Sequence, residues 1–70
     1  MYQTEIHVKG KINPKWADLF EELQVRDESS DETILIGGLP DMAAIYGVLS
    51  RLSNLVIPLI SVTCREEIDR

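Results

Sequence analysis

Seventy residues with 12 acidic and 7 basic side chains, a formal charge of -5, describe one small acidic domain. No stripe of lysine and arginine interrupts the negative surface, so nucleic-acid binding, which draws on clustered basic side chains and counterion release, is not expected. No apolar run approaches the ~20 residues of a membrane span, and a chain this short buries only about 60% of its unfolded surface.

The usual supports for so small a core are missing. Cys64 is the single cysteine, so no internal disulfide can form, and no Cys/His cluster has zinc-site spacing. No cofactor or metal is expected, and self-association is the expected source of the missing stability. The start, Met1-Tyr2-Gln3-Thr4-Glu5, lacks the basic and apolar blocks of a signal peptide. With one free thiol, a cytoplasmic location is expected.

Residues 2 to 12 alternate, with Tyr2, Thr4, Ile6, Val8, Gly10 and Ile12 against Gln3, Glu5, His7, Lys9 and Lys11. This predicts a strand with one buried and one wet face. Asn13-Pro14 ends it and suits the start of a helix. Trp16, Leu19, Phe20 and Leu23 then fall at helical spacing, predicting two to three turns. Leu23 to Glu28 alternates again, and Ser29-Ser30-Asp31 is a polar turn. Thr33 to Ile36 is an apolar, β-branched strand suited to the middle of a sheet. After Gly37-Gly38, a second helix is predicted with Asp41 as cap, Met42, Ile45, Val48, Leu49 and Leu52 on one face, and Asn54 near its end. The last strand is predicted over Leu55 to Cys64. Pro58 within it removes a ladder hydrogen bond and places that strand at an edge.

The order β-α-β-β-α-β, with right-handed crossovers, predicts an α+β fold of the ferredoxin-like kind. Four antiparallel strands in the order 4-1-3-2 would carry two helices on one face. Residues 1–64 form the single expected domain and 65–70 a charged tail.

Each motif that suggests chemistry has a plainer reading. Gly37-Gly38-Leu39-Pro40-Asp41 lacks the third glycine of a dinucleotide fingerprint and the lysine of a P-loop. Asp41 would also repel an anion there. The glycines are read as turn punctuation supplying unusual backbone angles. The acidic run from Asp27 to Glu32 lacks the central glycine and distal glutamate of a calcium loop and is read as a solvated hairpin tip. His7 and Cys64 could make a nucleophile and base, but their parity sends them to opposite sides of the sheet. His7 is expected on the wet face, with Cys64 a buried, inert thiol. No enzymatic activity is expected.

The open face of the sheet is predicted to carry Glu5, His7, Lys9, Gln24 and Arg26. Leu35, Ile57 and Leu59 are expected beside them as an uncovered apolar patch. These three, with His7, make the expected interface. A bulge at Pro58 would instead turn Ile57 and Leu59 inward. Ala43, Gly47, Ser50 and Asn54 form a thin outer face on the second helix, a secondary contact site.

Two stretches carry a resemblance. Gly10-Lys11-Ile12-Asn13-Pro14-Lys15-Trp16 is similar to a G-x-[LI]-[DN]-P-x-W element. Residues 41–51, followed by Leu55-Val56-Ile57-Pro58-Leu59-Ile60-Ser61-Val62, are similar to D-Q-A-A-L-H-G-L-L-x-R and L-P-L-[LI]-S-V. Together they resemble a family of small uncharacterised bacterial proteins, with Met42 in place of the glutamine and Tyr46 in place of the histidine. The resemblance implies one domain in a bacterial cytoplasmic protein and supplies no catalytic residue. The strand order also resembles that of ACT-type regulatory domains, which implies an amino-acid site at the turn of Gly10, Asn13 and Trp16. The expected function is therefore a non-enzymatic, self-associating module, a homodimer joined through the open sheet face or an edge strand; the alternative is a small-ligand regulatory domain.

Overall fold

A computed structural model of the chain describes residues 1–13, 20 and 22–67. Strands β1 (Tyr2–Lys9), β2 (Gln24–Ser29), β3 (Glu32–Leu39) and β4 (Leu59–Glu66) form one sheet, and helix α1 (Met42–Asn54) lies between β3 and β4 in the chain. The fold is α+β. Its sheet order is β2-β3-β1-β4, all neighbours antiparallel, which counted from the other edge reads 4-1-3-2. β3 and β1 are thus central and β4 is an edge. Among the described residues α1 is the one helix. The helix expected around Trp16 and Leu19 falls on residues 14–19 and 21, outside the described residues.

β1 sets the parity of the whole sheet. Its alternation buries Thr4, Ile6 and Val8 toward α1, and the register then decides what faces inward on each neighbour. Ile6 stands opposite Leu35, Val8 opposite Thr33 and Tyr2 opposite Leu39. The core joins these residues to Ile45, Val48 and Leu52 of α1 and to Ile12, Phe20 and Leu23. Asp41 caps α1: its Oδ1 accepts from the N–H of Ala44 at 2.8 Å, satisfying one of the helix's orphan donors. At the other end the N–H of Val56 donates to Ser53 O and that of Ile57 to Leu52 O. This is a Schellman closure, in which the residue after the cap takes a left-handed conformation.

Several boundaries differ from the sequence reading. β1 ends at Lys9 rather than Ile12, because Gly10 turns the chain at φ +87. β2 begins at Gln24, one residue after Leu23, whose side chain joins the core. β3 runs on to Leu39 and contains both glycines, neither with a positive φ. Their small size is what counts. A Cβ on Gly37 would lie 2.9 Å from the Glu22 carbonyl oxygen, and one on Gly38 2.9 Å from the Met1 sulfur. The last strand starts at Leu59 rather than Leu55, because residues 55–57 are used in closing α1. It also continues to Glu66, so Arg65 and Glu66 pair with Gln3 and Tyr2 instead of belonging to a tail. The Tyr2 hydroxyl donates to Glu66 Oε2 at 3.0 Å.

Gly47, in the middle of α1, has open space where a Cβ would sit and no positive φ. Gly47→Ala is therefore expected to stabilise the fold by about 0.5–1 kcal/mol, read as a higher urea midpoint at unchanged slope.

Candidate interaction surface

The face of the sheet away from α1 carries Glu5, His7 and Lys9 on β1 and Gln24 and Arg26 on β2, as their parity predicts. The apolar patch expected beside them is not there. Leu35 lies opposite Ile6 and is fully buried against the helix. The residues of β3 on the outer face are Ile34 and Ile36, which stand opposite His7 and Glu5. Ile34, flanked also by Arg26 of β2, retains only 8% exposure. Ile57 and Leu59 are displaced by a bulge between β1 and β4. Ser61 pairs with His7, but Leu59 pairs with Val8, so Ile60 is the extra residue. One extra residue reverses the face of everything before it. Leu59 accordingly lies on the α1 side, lining a groove of about 270 Å³ with Leu49, Leu52, Ser53 and Ile57.

His7 is not an open contact residue but the centre of a clamp. Its Nε2 lies 2.6 Å from Glu5 Oε2 and its Nδ1 lies 2.8 Å from Glu32 Oε1. A neutral imidazole has one donor, so only the imidazolium can donate to both carboxylates. The hydrogen bond to Glu5, and then that to Glu32, raise the His7 pKa above its ordinary value, with burial opposing. The clamp ties β1 to β3 across the wet face. Next to it, a shallow depression of about 310 Å³ is lined by Gln3, Thr4, Glu5, Ile36, Thr63 and Arg65.

Both ring nitrogens of His7 are occupied by carboxylates. Cys64 pairs with Thr4, on the opposite face of the sheet from His7, as parity predicts. The thiol is exposed, however, not buried. α1 lies against β3, and the helix side of β4 stays open at Cys64 and Glu66. Among the described residues no cluster of His, Cys, Asp and Glu could hold a metal, and Asp27 in the acidic run pairs with Lys11 at 3.3 Å.

At the turn suggested as a ligand site, the described backbone of Gly10 is engaged by the chain itself. Gly10 adopts φ +87, which an L side chain rarely takes. Its N–H donates to Asp31 O at 2.7 Å, and its carbonyl accepts from the Thr33 hydroxyl at 2.7 Å. Both backbone groups of Gly10 are therefore used by the β2–β3 hairpin. Asn13 is exposed, and Trp16 lies outside the described residues.

The edge position expected from Pro58 holds, but two features went unread in the sequence. One is the exposure of β4 at every residue but Val62, with Leu59 and Ile60 each 52% exposed. The other is Val56, at φ 56 and 85% exposed. Nothing local signals it, since a β-branched residue is among those least suited to that backbone region.

Among the described residues no helix is long and apolar enough to cross a membrane. Comparison with curated proteins and with solved structures finds no match. A family model described as "Domain of unknown function (DUF8691)" matches residues 3–63, a span that begins in β1, ends in β4 and takes in β2, β3 and α1 whole. The chain therefore belongs to this family, whose function is unknown.

Proposed function

We propose that the chain is a non-enzymatic protein-interaction module that pairs with a second copy along the free edge of β4. The observation that carries this reading is the edge itself: eight residues, with no charged side chain from Leu59 to Cys64. Monomeric proteins blunt such edges with charges, proline or a covering element. Here Pro58 and Arg65 stand at the two ends of the stretch and leave its middle unprotected. The N–H of Glu67 donates to Met1 O at 2.8 Å. By the alternation of an antiparallel ladder, Glu66, Cys64 and Val62 then turn their N–H and C=O groups outward, where a second strand would meet them.

The ferredoxin-like arrangement belongs to the same reading and is supported by the strand directions. β1 and β2 each run antiparallel to β3 and so are parallel to one another. Parallel strands need a crossover, usually helical, and Phe20 and Leu23 from that crossover join the core. The absence of catalysis is supported by the doubly engaged His7 ring and by the distance in parity between it and Cys64. An exposed unpaired thiol suits a reducing compartment such as the cytoplasm.

Light scattering at micromolar concentration is expected to give the mass of a dimer. Cys64→Pro removes an outward N–H without touching the ladder to β1, a substitution that edge strands tolerate. It is expected to give a folded monomer, while Cys64→Ser remains dimeric. A monomeric wild-type chain would overturn the reading.

A further inference from the structure

The depression on the open face of the sheet gathers opposite charges around one hollow. In the pairing of β1 with β4, Gln3 stands opposite Arg65 and Glu5 opposite Thr63. On the other side of β1, Glu5 stands opposite Ile36. These side chains line the space of about 310 Å³, which is at the low end of the range for small-molecule sites.

Glu5 and Arg65 are diagonal neighbours across β1 and β4, a spacing that long side chains can span. They do not pair. Glu5 is drawn toward His7, whose Nε2 lies 2.6 Å from its Oε2. Among the described residues the Arg65 guanidinium has no ion-pair partner. The hollow thus offers a carboxylate oxygen, Glu5 Oε1, and a guanidinium that are held apart. The Gln3 amide and the Thr63 hydroxyl stand beside them. A simple anion at Arg65 would face Glu5, and a simple cation at Glu5 would face Arg65. Such an arrangement discriminates against either alone and favours a molecule that carries both charges.

We propose that this hollow binds a small zwitterion, a free α-amino acid with an apolar side chain. Its carboxylate accepts parallel N–H bonds from the Arg65 fork, which matches that planar group. Its ammonium donates to Glu5 Oε1, the oxygen that His7 does not hold. Its side chain lies toward Ile36. One α-carbon carries the two charges side by side, so the ligand completes the pair that the sheet keeps apart. Pairing through the edge of β4 takes place in the plane of the sheet and leaves this face open, so the site does not depend on self-association.

The test is a titration of the isotope-labelled chain, followed through its backbone amide signals. The probes are L-leucine, N-acetyl-leucine, which lacks the ammonium, and leucinamide, which lacks the carboxylate. Leucine at up to tens of millimolar is expected to give saturable shifts centred on Gln3, Glu5, Ile36, Thr63 and Arg65. Each blocked probe should bind about tenfold or more weakly, the loss of one charge-assisted contact. These probes test both charges on the wild-type chain, without any variant. Arg65→Gln, at an exposed position, should weaken leucine binding to the same degree. Lys9→Gln removes a charge from the same face outside the hollow and should bind leucine as wild type does. The amide spectrum of each variant reports that it is folded. The assignment is overturned by the absence of saturable shifts in wild type, by shifts centred elsewhere, or by a blocked probe that binds as tightly as leucine. Equal affinity of Arg65→Gln and wild type, or equal losses in Arg65→Gln and Lys9→Gln, would overturn it as well.

Discussion

Leu35→Ala is expected to cost about 2–5 kcal/mol, the range for a buried leucine whose cavity only partly collapses. Leu35 is fully buried and stands opposite Ile6, itself at 0% exposure, in the central pair of strands. A chain of 70 residues has about 4–10 kcal/mol of stability in all. The substitution should therefore leave a substantial unfolded fraction at 25 °C, read by urea unfolding followed in the far-ultraviolet circular dichroism. Leu59→Ala, at a side chain half exposed in the groove, should cost about 1 kcal/mol or less in the monomer. The contrast is what matters. Equal and small effects at the two leucines would mean that β3 is turned over, with Leu35 on the wet face.

That contrast also marks where the sequence becomes illegible. β1 is amphipathic with a strict period of two, so its buried face could be read residue by residue, and Thr4, Ile6 and Val8 are buried accordingly. The apolar stripe of α1 and its Asp41 cap were legible for the same reason: local periodicity and a local hydrogen bond. Ile34-Leu35-Ile36 has no polar residue to mark a face, and its parity is decided only by pairing with β1. Ile57 and Leu59 depend on a bulge at Ile60, a feature of two strands together. The His7 clamp is half legible. Glu5 is two residues away on the same face, but Glu32 is 25 residues away and reaches His7 through the β1–β3 register. The free edge of β4 follows from strand order, while the left-handed Val56 has no sequence signal at all.

Stability is expected to fall between pH 6 and pH 9 in wild type, and His7→Gln should remove most of that dependence. The sign follows from the clamp. Both ring nitrogens face carboxylate oxygens, at 2.6 and 2.8 Å, so the folded state prefers the imidazolium and its pKa is raised, first by Glu5 and then by Glu32. Folding thus binds a proton more tightly than the unfolded chain does. The contribution is complete below the unfolded histidine value of about 6.5 and is lost as pH rises through the higher folded value. Hydrogen bonds to charged groups are worth about 1.5–3 kcal/mol each when well shielded. These partners are between a fifth and a half exposed, so screening brings the pair down to about 1–2 kcal/mol together. Once the ring is neutral, one nitrogen lone pair faces a carboxylate and the clamp opens on that side. The measurement is the urea midpoint at pH 6 and pH 9 for wild type, His7→Gln, Glu5→Gln and Glu32→Gln, with the His7 ring titrated by NMR. Each of the two glutamate substitutions should lower the His7 pKa, Glu5→Gln more than Glu32→Gln. A His7 that titrates at its ordinary value in the wild type would show that the two carboxylates do not hold the ring.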